Sequence, residues 1–235
     1  MHKKLAIQDS SRFCTLTCST TKQHRRKWRN AADCLYSQTF PVEATMQAIN
    51  TQISRDDYLR LDEAATEKHE FYRGQMFAMA GGTYQHARIG LNVTTELAVR
   101  LRGKPCQPMN SDMRVSTPSG LDTYPDTSVY CHAPELTDNN RTLLNPVLIV
   151  EVLSPSTRSY DRGDKFMHYR SIPSLQDYVL IDSERVLVEH YQRIGTYEWH
   201  LHEYRQLTNT LKLESVGQTL EIACFYDGVE LQDCE

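Results

Sequence analysis

The segment NPVLIVEVLSPSTRSYDRGDKFMHY, residues 145–169, places Glu151 inside an apolar run and Lys165 a little further along the chain. An isolated ionised carboxylate in an apolar interior is very costly and survives there only with a partner. A second acid, Asp126, follows Pro125 in YPDTSVYC. If strands over 124–131 and 146–153 lie side by side, Asp126 and Glu151 converge. Two carboxylates so placed repel unless a proton or a cation stands between them. Mg²⁺ or Mn²⁺ suits such a pair, because these ions take one or two carboxylates together with phosphate and water. Glu70, in HEFYRG, is a third acid for the same site. Lys165 can orient or deprotonate a metal-bound water, or offset charge that builds on a phosphorus centre. The residue types therefore suggest phosphodiester hydrolysis.

Each of these residues also has a plainer role open to it. Glu151 can pair with a buried Arg or Lys, Asp126 can serve a turn, and Glu70 can end a helix. Lys165 can bridge to Asp161 or Asp164. Asp112, in SDMRV, reads as a further acid or as a strand-edge cap. Tyr169 lies four residues after Lys165 on one helix face and reads as packing. His86 could help at a phosphate, but a histidine at a helix start is more often structural.

The elements that must position these groups are legible from period and punctuation. Ser54 caps a short helix, with Asp57 three residues on as a capping-box partner. Glu70 falls at the junction of that helix with a strand over EFYRGQMFAMA, in which Gly74 marks a turn or bulge. Gly81 and Gly82 precede an amphipathic helix whose Ile89, Val93, Leu97 and Leu101 repeat every four residues, and Gly103 ends it. CQPMNSDMRVST, YPDTSVYC and PVLIVEVLS read as strands. SYDRGDKFMHYRSI reads as a helix capped by Asp161, with Lys165 in its first turn and Pro173 closing it. QDYVLIDS, RVLVEHYQR, YEWHLHEYR and TLKLESV make a β-rich end.

With 235 residues, 40% hydrophobic and 24% charged, the chain has the composition of a globular protein. No apolar run approaches the ~20 residues that span a bilayer, so no membrane role is expected. The net charge of −4 is uneven: residues 1–45 hold eight Lys/Arg against three Asp/Glu, a net +5, which leaves −9 on the rest. An acidic body needs a local basic surface to approach a phosphate backbone. The candidates are Arg88, Arg100, Arg102 and Lys104 on the long helix and Arg158, Arg162 and Arg170 near the acids. Residues 1–45, with TKQHRRKWRN, read as a basic disordered extension or a leader ahead of a start at Met46. Residues 46–235 read as a single domain. Cys14, Cys18, His24 and Cys34 match no structural zinc spacing. The seven cysteines, without an export signal, are expected to be mostly reduced thiols in a cytoplasmic protein.

The stretches HEFYRGQMFAMAGGT, SDMRV, YPDTSVYC and LLNPVLIVEVLSPSTRSYDRGDKFMHYRSIPSLQDYVLID resemble the Uma-two family of restriction endonucleases, within the PD-(D/E)XK nuclease superfamily. The resemblance runs over about residues 53–231. It implies an α/β (α+β) fold with a restriction-endonuclease-like αβββαβ core, a central mixed sheet flanked by helices. It also implies a Mg²⁺- or Mn²⁺-dependent endonuclease acting on DNA. Asp126 matches the aspartate of the Pro-Asp motif and Glu151 the acid of the second half-motif. Glu70 matches the helix glutamate of an HE element. One position departs from the superfamily pattern: its lysine stands two residues after the acid, where this chain has Leu153. Lys165 on the following helix is the replacement. A homodimer is a further expectation, since a duplex has two strands to cut. The alternative is an inactive nuclease-fold module that binds nucleic acid or a protein partner.

Overall fold

The computed structural model describes residues 52–79 and 81–231. The basic stretch 1–45, the Met46 start and the Cys14, Cys18, His24 and Cys34 set lie outside the described residues.

Helix α1, Arg55–Ala64, starts where Ser54 accepts a hydrogen bond from the Asp57 amide; the two side chains also bond, at 2.7 Å. The chain leaves α1 through Asp62, whose Oδ1 takes the His69 amide at 2.9 Å. This contact ties the last turns of α1 to the start of the next strand across residues 65–68. β1 (His69–Tyr72) and β2 (Gln75–Ala78) form a hairpin, where the sequence suggested one interrupted strand. Arg73 and Gly74, with φ of 48° and 81°, make its turn. Two successive positive φ angles give a tight connection that matches strand twist.

Helix α2, Tyr84–Leu101, is capped by Thr83, which accepts from the His86 amide. Its four-residue stripe, Ile89, Val93, Leu97 and Leu101, is fully enclosed. The next stretch splits into β3 (Cys106–Asn110) and β4 (Arg114–Ser116), which go to different sheets. β5 (Leu121–Thr123) precedes β6 (Thr127–Cys131). The short β7 (Leu136–Thr137) and β8 (Thr142–Leu143) lead to β9, Leu148–Leu153.

Two six-stranded sheets result. One runs β2-β1-β5-β4-β8-β7. The other runs from β12 (Trp199–Tyr204) through β11 (Val188–Arg193), β10 (Asp177–Asp182), β9 and β6 to β3. Only the β9–β10 pairing in this second sheet is parallel. Read along the chain, α2, β3, β6, β9, a helical segment over 158–169 and β10 give the αβββαβ order, with the smaller-sheet strands inserted between β3 and β6 and between β6 and β9. β13 (Thr210–Leu213) and β14 (Gln218–Glu221) add a hairpin, and α4 (Ile222–Phe225) follows it.

Every residue of β9 is buried, as a central strand covered on both faces requires. Its alternation divides two cores. Leu148, Val150 and Val152 pack with the α2 stripe and the β13–β14 hairpin. Ile149 and Leu153 pack with Phe166, Tyr169 and Ile172 on the opposite face. Glu151 shares that second face.

Two expectations need correction. Cys106 and Cys131 are joined as a disulfide rather than held as thiols, because the β3–β6 register sets them directly opposite. Cys224 is a free thiol, and the other four cysteines lie outside the described residues. Asp161 is also not a cap: the helical segment begins earlier, at Arg158.

The α2 stripe anchors this helix to the main sheet. Replacing Leu97 by Ala should lower unfolding free energy by about 2–5 kcal/mol, as for other buried leucines; urea denaturation followed by circular dichroism reads the loss.

Candidate active site

The segment 158–169 is designated α3. It has α-helical turns Arg158–Tyr160 and Phe166–Tyr169 flanking a π-helical turn, Asp161–Lys165. Single π turns inside helices recur at functional sites. Asp161, Lys165 and Tyr169, four residues apart, all face β9 and are all buried. Lys165 thus lies in the middle of the helical segment rather than in its first turn.

Lys165 is the centre of the arrangement. Its Nζ lies 2.9 Å from Glu151 Oε1, 3.1 Å from Glu70 Oε1 and 3.6 Å from Asp161 Oδ1. The partner that makes Glu151 tolerable in β9 is therefore this ammonium. Tyr169 donates its hydroxyl to Glu151 Oε1 at 2.7 Å. Glu70 lies within β1, not at a helix end, because the Asp62 contact starts the strand at His69. It accepts from Thr123 Oγ1 at 2.5 Å and from the Tyr160 hydroxyl at 3.2 Å.

Asp126 comes from the residue before β6, and β6 pairs antiparallel with β9. The Val152 amide donates to Asp126 Oδ2 at 2.7 Å, and the Asp126 amide reaches Glu151 Oε2 at 3.4 Å. The two strands thus hold the two acids side by side. His86 Nε2, from the first turn of α2, lies 3.5 Å from Asp126 Oδ2. Asp126 and His86 line an open cleft of about 600 Å³, with Asn110 and Ser111 on its wall.

Burial raises Glu151 to about pKa 8; Lys165 opposes this, while Asp126 and Asp161 add like-charge repulsion. Burial works the same way on Glu70, but Lys165, Thr123 and Tyr160 overcome it and leave that carboxyl below its usual range. The two acids share one lysine and end on opposite sides because only Glu70 is free of a close acidic neighbour and has two hydroxyl donors. Burial also raises Asp161. Burial would discharge Lys165, but Glu151, Glu70 and Asp161 hold its proton well above the ordinary lysine range.

Glu70, Asp126, Glu151 and Lys165, read from three segments of the sequence, meet in one cluster. Asp112 does not join it: it is exposed, and Lys68 Nζ lies 2.7 Å from its Oδ1. Arg158 is paired with Glu184 at 2.6 Å and Arg162 with Glu189 at 2.5 Å. Arg100 is paired with Glu96. Sequence reasoning missed Thr123 and Tyr160, offered Asp161 only as a cap or as an ion-pair partner of Lys165, and assigned Tyr169 to packing alone. The four-residue spacing of Asp161, Lys165 and Tyr169 was the available signal. Thr123 and Tyr160 left none.

The profile of the Uma2 family, described as "Putative restriction endonuclease", matches residues 55–224. An uncharacterized Synechocystis protein, slr1290, is 36% identical over 179 residues, spanning 76% of this chain and 93% of its own. A second, sll1609, is 40% identical over 149 residues, spanning 63% of this chain and 84% of its own. Among solved structures, "a putative nuclease belonging to DUF820" from Anabaena variabilis superposes with a TM-score of 0.62 at 17% identity, over 74% of this chain and 98% of that one. At that identity the likeness concerns the fold.

Removing the ammonium leaves buried acids without a counter-charge. Lys165→Met should therefore destabilise the fold by about 3–5 kcal/mol, read by urea denaturation at pH 7. Glu151 has the opposite pH signature to an ordinary ion-paired acid. Its folded pKa, about 8, lies above the ordinary 4.5, so its contribution is complete below pH 4.5 and is lost as pH rises through 8. In chelator, the stability of wild type relative to Glu151→Gln should fall steadily from pH 5 to pH 8. A difference that stays level across that range would contradict the burial argument.

Proposed function

The chain belongs to the Uma2 family, and on that premise we propose that it is a divalent-metal-dependent endonuclease that hydrolyses phosphodiester bonds in DNA. The observation that carries this reading is the meeting of Asp126, Glu151 and Lys165 beside an open cleft.

The donor set fits Mg²⁺ or Mn²⁺. Among the described residues, no three His, Cys, Asp or Glu side chains already enclose a metal position. Mg²⁺ does not require such a cage, because it usually retains waters and binds through one or two carboxylates plus substrate phosphate. Asp126 and Glu151 would hold it, with Glu70 assisting. The bound ion would supply Lewis acidity and lower the pKa of an attacking water.

The chain's own groups do the rest. Asp126 is fixed by the Val152 amide, so it presents its carboxylate from a rigid strand end. Tyr169 and Lys165 both grip Glu151 Oε1, which leaves Oε2 on the Asp126 side. Lys165 keeps its proton and so acts as a fixed positive charge that orients water and offsets charge on the phosphoryl oxygens. It takes the place of the lysine that the superfamily sets two residues after the acid, because α3 packs across β9 on the face that Glu151 shares.

The described residues contain no helix long and apolar enough to cross a membrane. A cytoplasmic location, a DNA partner and a homodimer are part of this reading. A second reading, a nuclease fold that binds without cutting, is favoured by one observation: Lys165 already compensates charge among the buried acids.

Plasmid cleavage separates the two. Wild type should nick or linearise DNA in Mg²⁺ or Mn²⁺, and Glu151→Ala and Asp126→Ala should each lower the rate by at least about 100-fold. Ca²⁺ should support binding without cleavage. Binding with no cleavage of supercoiled, linear or single-stranded DNA in either metal would favour the non-cutting module.

A further inference from the structure

A second cavity, of about 540 Å³, opens on the cluster at Glu70. Tyr72, Phe77, Tyr160 and Met167 wall it. Phe77 and Met167 remain 48% and 49% exposed, a large apolar area to leave in water beside a polar cluster. The packing of the fold does not use these faces: Phe77 comes from the edge strand β2, and Met167 from the outer side of α3.

The polar groups at the cavity exclude most ligands. They are Glu70, Asp164 and His168; among the described residues no lysine or arginine lines it, although Arg73 and Lys165 lie over the Tyr72 and Tyr160 rings, 5.0 and 5.9 Å from their centroids. A phosphate or carboxylate inside it would face the Glu70 and Asp164 carboxylates directly, while Lys165 is already paired with Glu70. His168 adds no cation, because burial lowers its pKa below the ordinary value. What fits is a flat, neutral molecule that stacks on aromatic rings and a thioether and offers amino hydrogens to a carboxylate. Nucleobases have both properties, and base–aromatic stacking tolerates any sequence.

The cavity is also joined to the catalytic cluster. Tyr160 donates to Glu70 Oε2 at 3.2 Å, and the other oxygen of Glu70 lies 3.1 Å from Lys165 Nζ. Glu70 thus borders the cluster on one side and this opening on the other. We propose that the cavity receives an unpaired nucleobase of the substrate strand, next to the bond to be cut. This rests on the nuclease reading for the place of the phosphate. It deepens that reading by naming the substrate class. A paired base is held in its stack, and extruding it costs least where it is mismatched or already single-stranded. The favoured substrates are thus single strands, flaps and mispaired sites rather than intact duplex.

The test uses the full chain in Ca²⁺ with single-stranded decamers that carry one 2-aminopurine or one abasic residue, walked along the strand. Wild type should quench 2-aminopurine at one register. An abasic residue at that register should weaken binding by about 5- to 150-fold, the range expected for one stacked base. The double variant Phe77→Ala, Met167→Ala should bind the intact decamer that much more weakly and lose no more with the abasic one. Thermal unfolding at the wild-type temperature shows that the variant is folded, as two half-exposed side chains predict. Equal binding by wild type and variant overturns the proposal, as does a loss in the variant that is the same for intact and abasic strands. Cleavage in Mg²⁺, measured on the same oligonucleotides, keeps the two readings apart. Base-dependent binding without cutting upholds the cavity and removes the nuclease. Cutting that ignores the abasic residue and the variant does the reverse.

Discussion

One buried ammonium organises the acidic cluster at the junction of the two sheets. Lys165 touches three carboxylates that reach it from three directions: Glu70 from the smaller sheet, Glu151 from the main sheet and Asp161 from its own helical segment. It favours the ionised form of all three against the burial that opposes it, and prevails at Glu70. The lysine in turn keeps its charge only because the acids surround it. The cluster is therefore a mutual constraint that joins the two sheets through α3. A buried network of this kind is costly to break at any one member, since the others are then left uncompensated.

Backbone geometry delivers these charges to a common point. β9 alternates between two cores, and Glu151 is the residue that interrupts the apolar succession on the α3 side. β6 runs antiparallel to β9, which brings the residue before β6 to the end of β9 where Val152 can donate to Asp126. The parallel return to β10 requires a crossover, and α3 is that crossover. Its π turn carries Asp161 and Lys165, and Tyr169 follows one turn later to close over Glu151. Fixing the acids through amide and phenol donors holds them at a set spacing, which is what a site for charged phosphoryl chemistry needs.

The surroundings of the cluster are asymmetric. Asp126 faces an open cleft of mixed lining, with Lys68, His86 and Ser111 beside Met79 and Leu91, whereas Glu70 borders an apolar, aromatic cavity. Arginines that the sequence offered as phosphate contacts are largely committed to neighbours, Arg158 to Glu184 and Arg162 to Glu189. On this body, affinity for a nucleic acid strand would rest more on shape and stacking than on a continuous basic surface.

Much of the fold and the four residues that meet in the cluster were legible in the amino-acid sequence, for identifiable reasons. The stripe Ile89, Val93, Leu97, Leu101 has a period that only a helix buries on one side, and the apolar run around Glu151 is short enough and β-branched enough to be a central strand. An acid in such a run is a local contradiction, and it pointed to a buried partner before any neighbour was known. Long-range pairing decided what local pattern could not. Whether residues 106–116 form one strand or two depends on which sheet each half joins. Whether Glu70 ends a helix or sits in a strand depends on Asp62 reaching back to the His69 amide. The pairing of Cys106 with Cys131 follows from the β3–β6 register, and the roles of Thr123 and Tyr160 from the approach of β5 and α3 to β1. The sequence by itself determined the elements and the chemistry their side chains carry, because period and residue type are local properties. Only the tertiary structure decided which charges share a lysine or a wall, because contact between residues far apart in the chain is set by how the sheets and α3 pack.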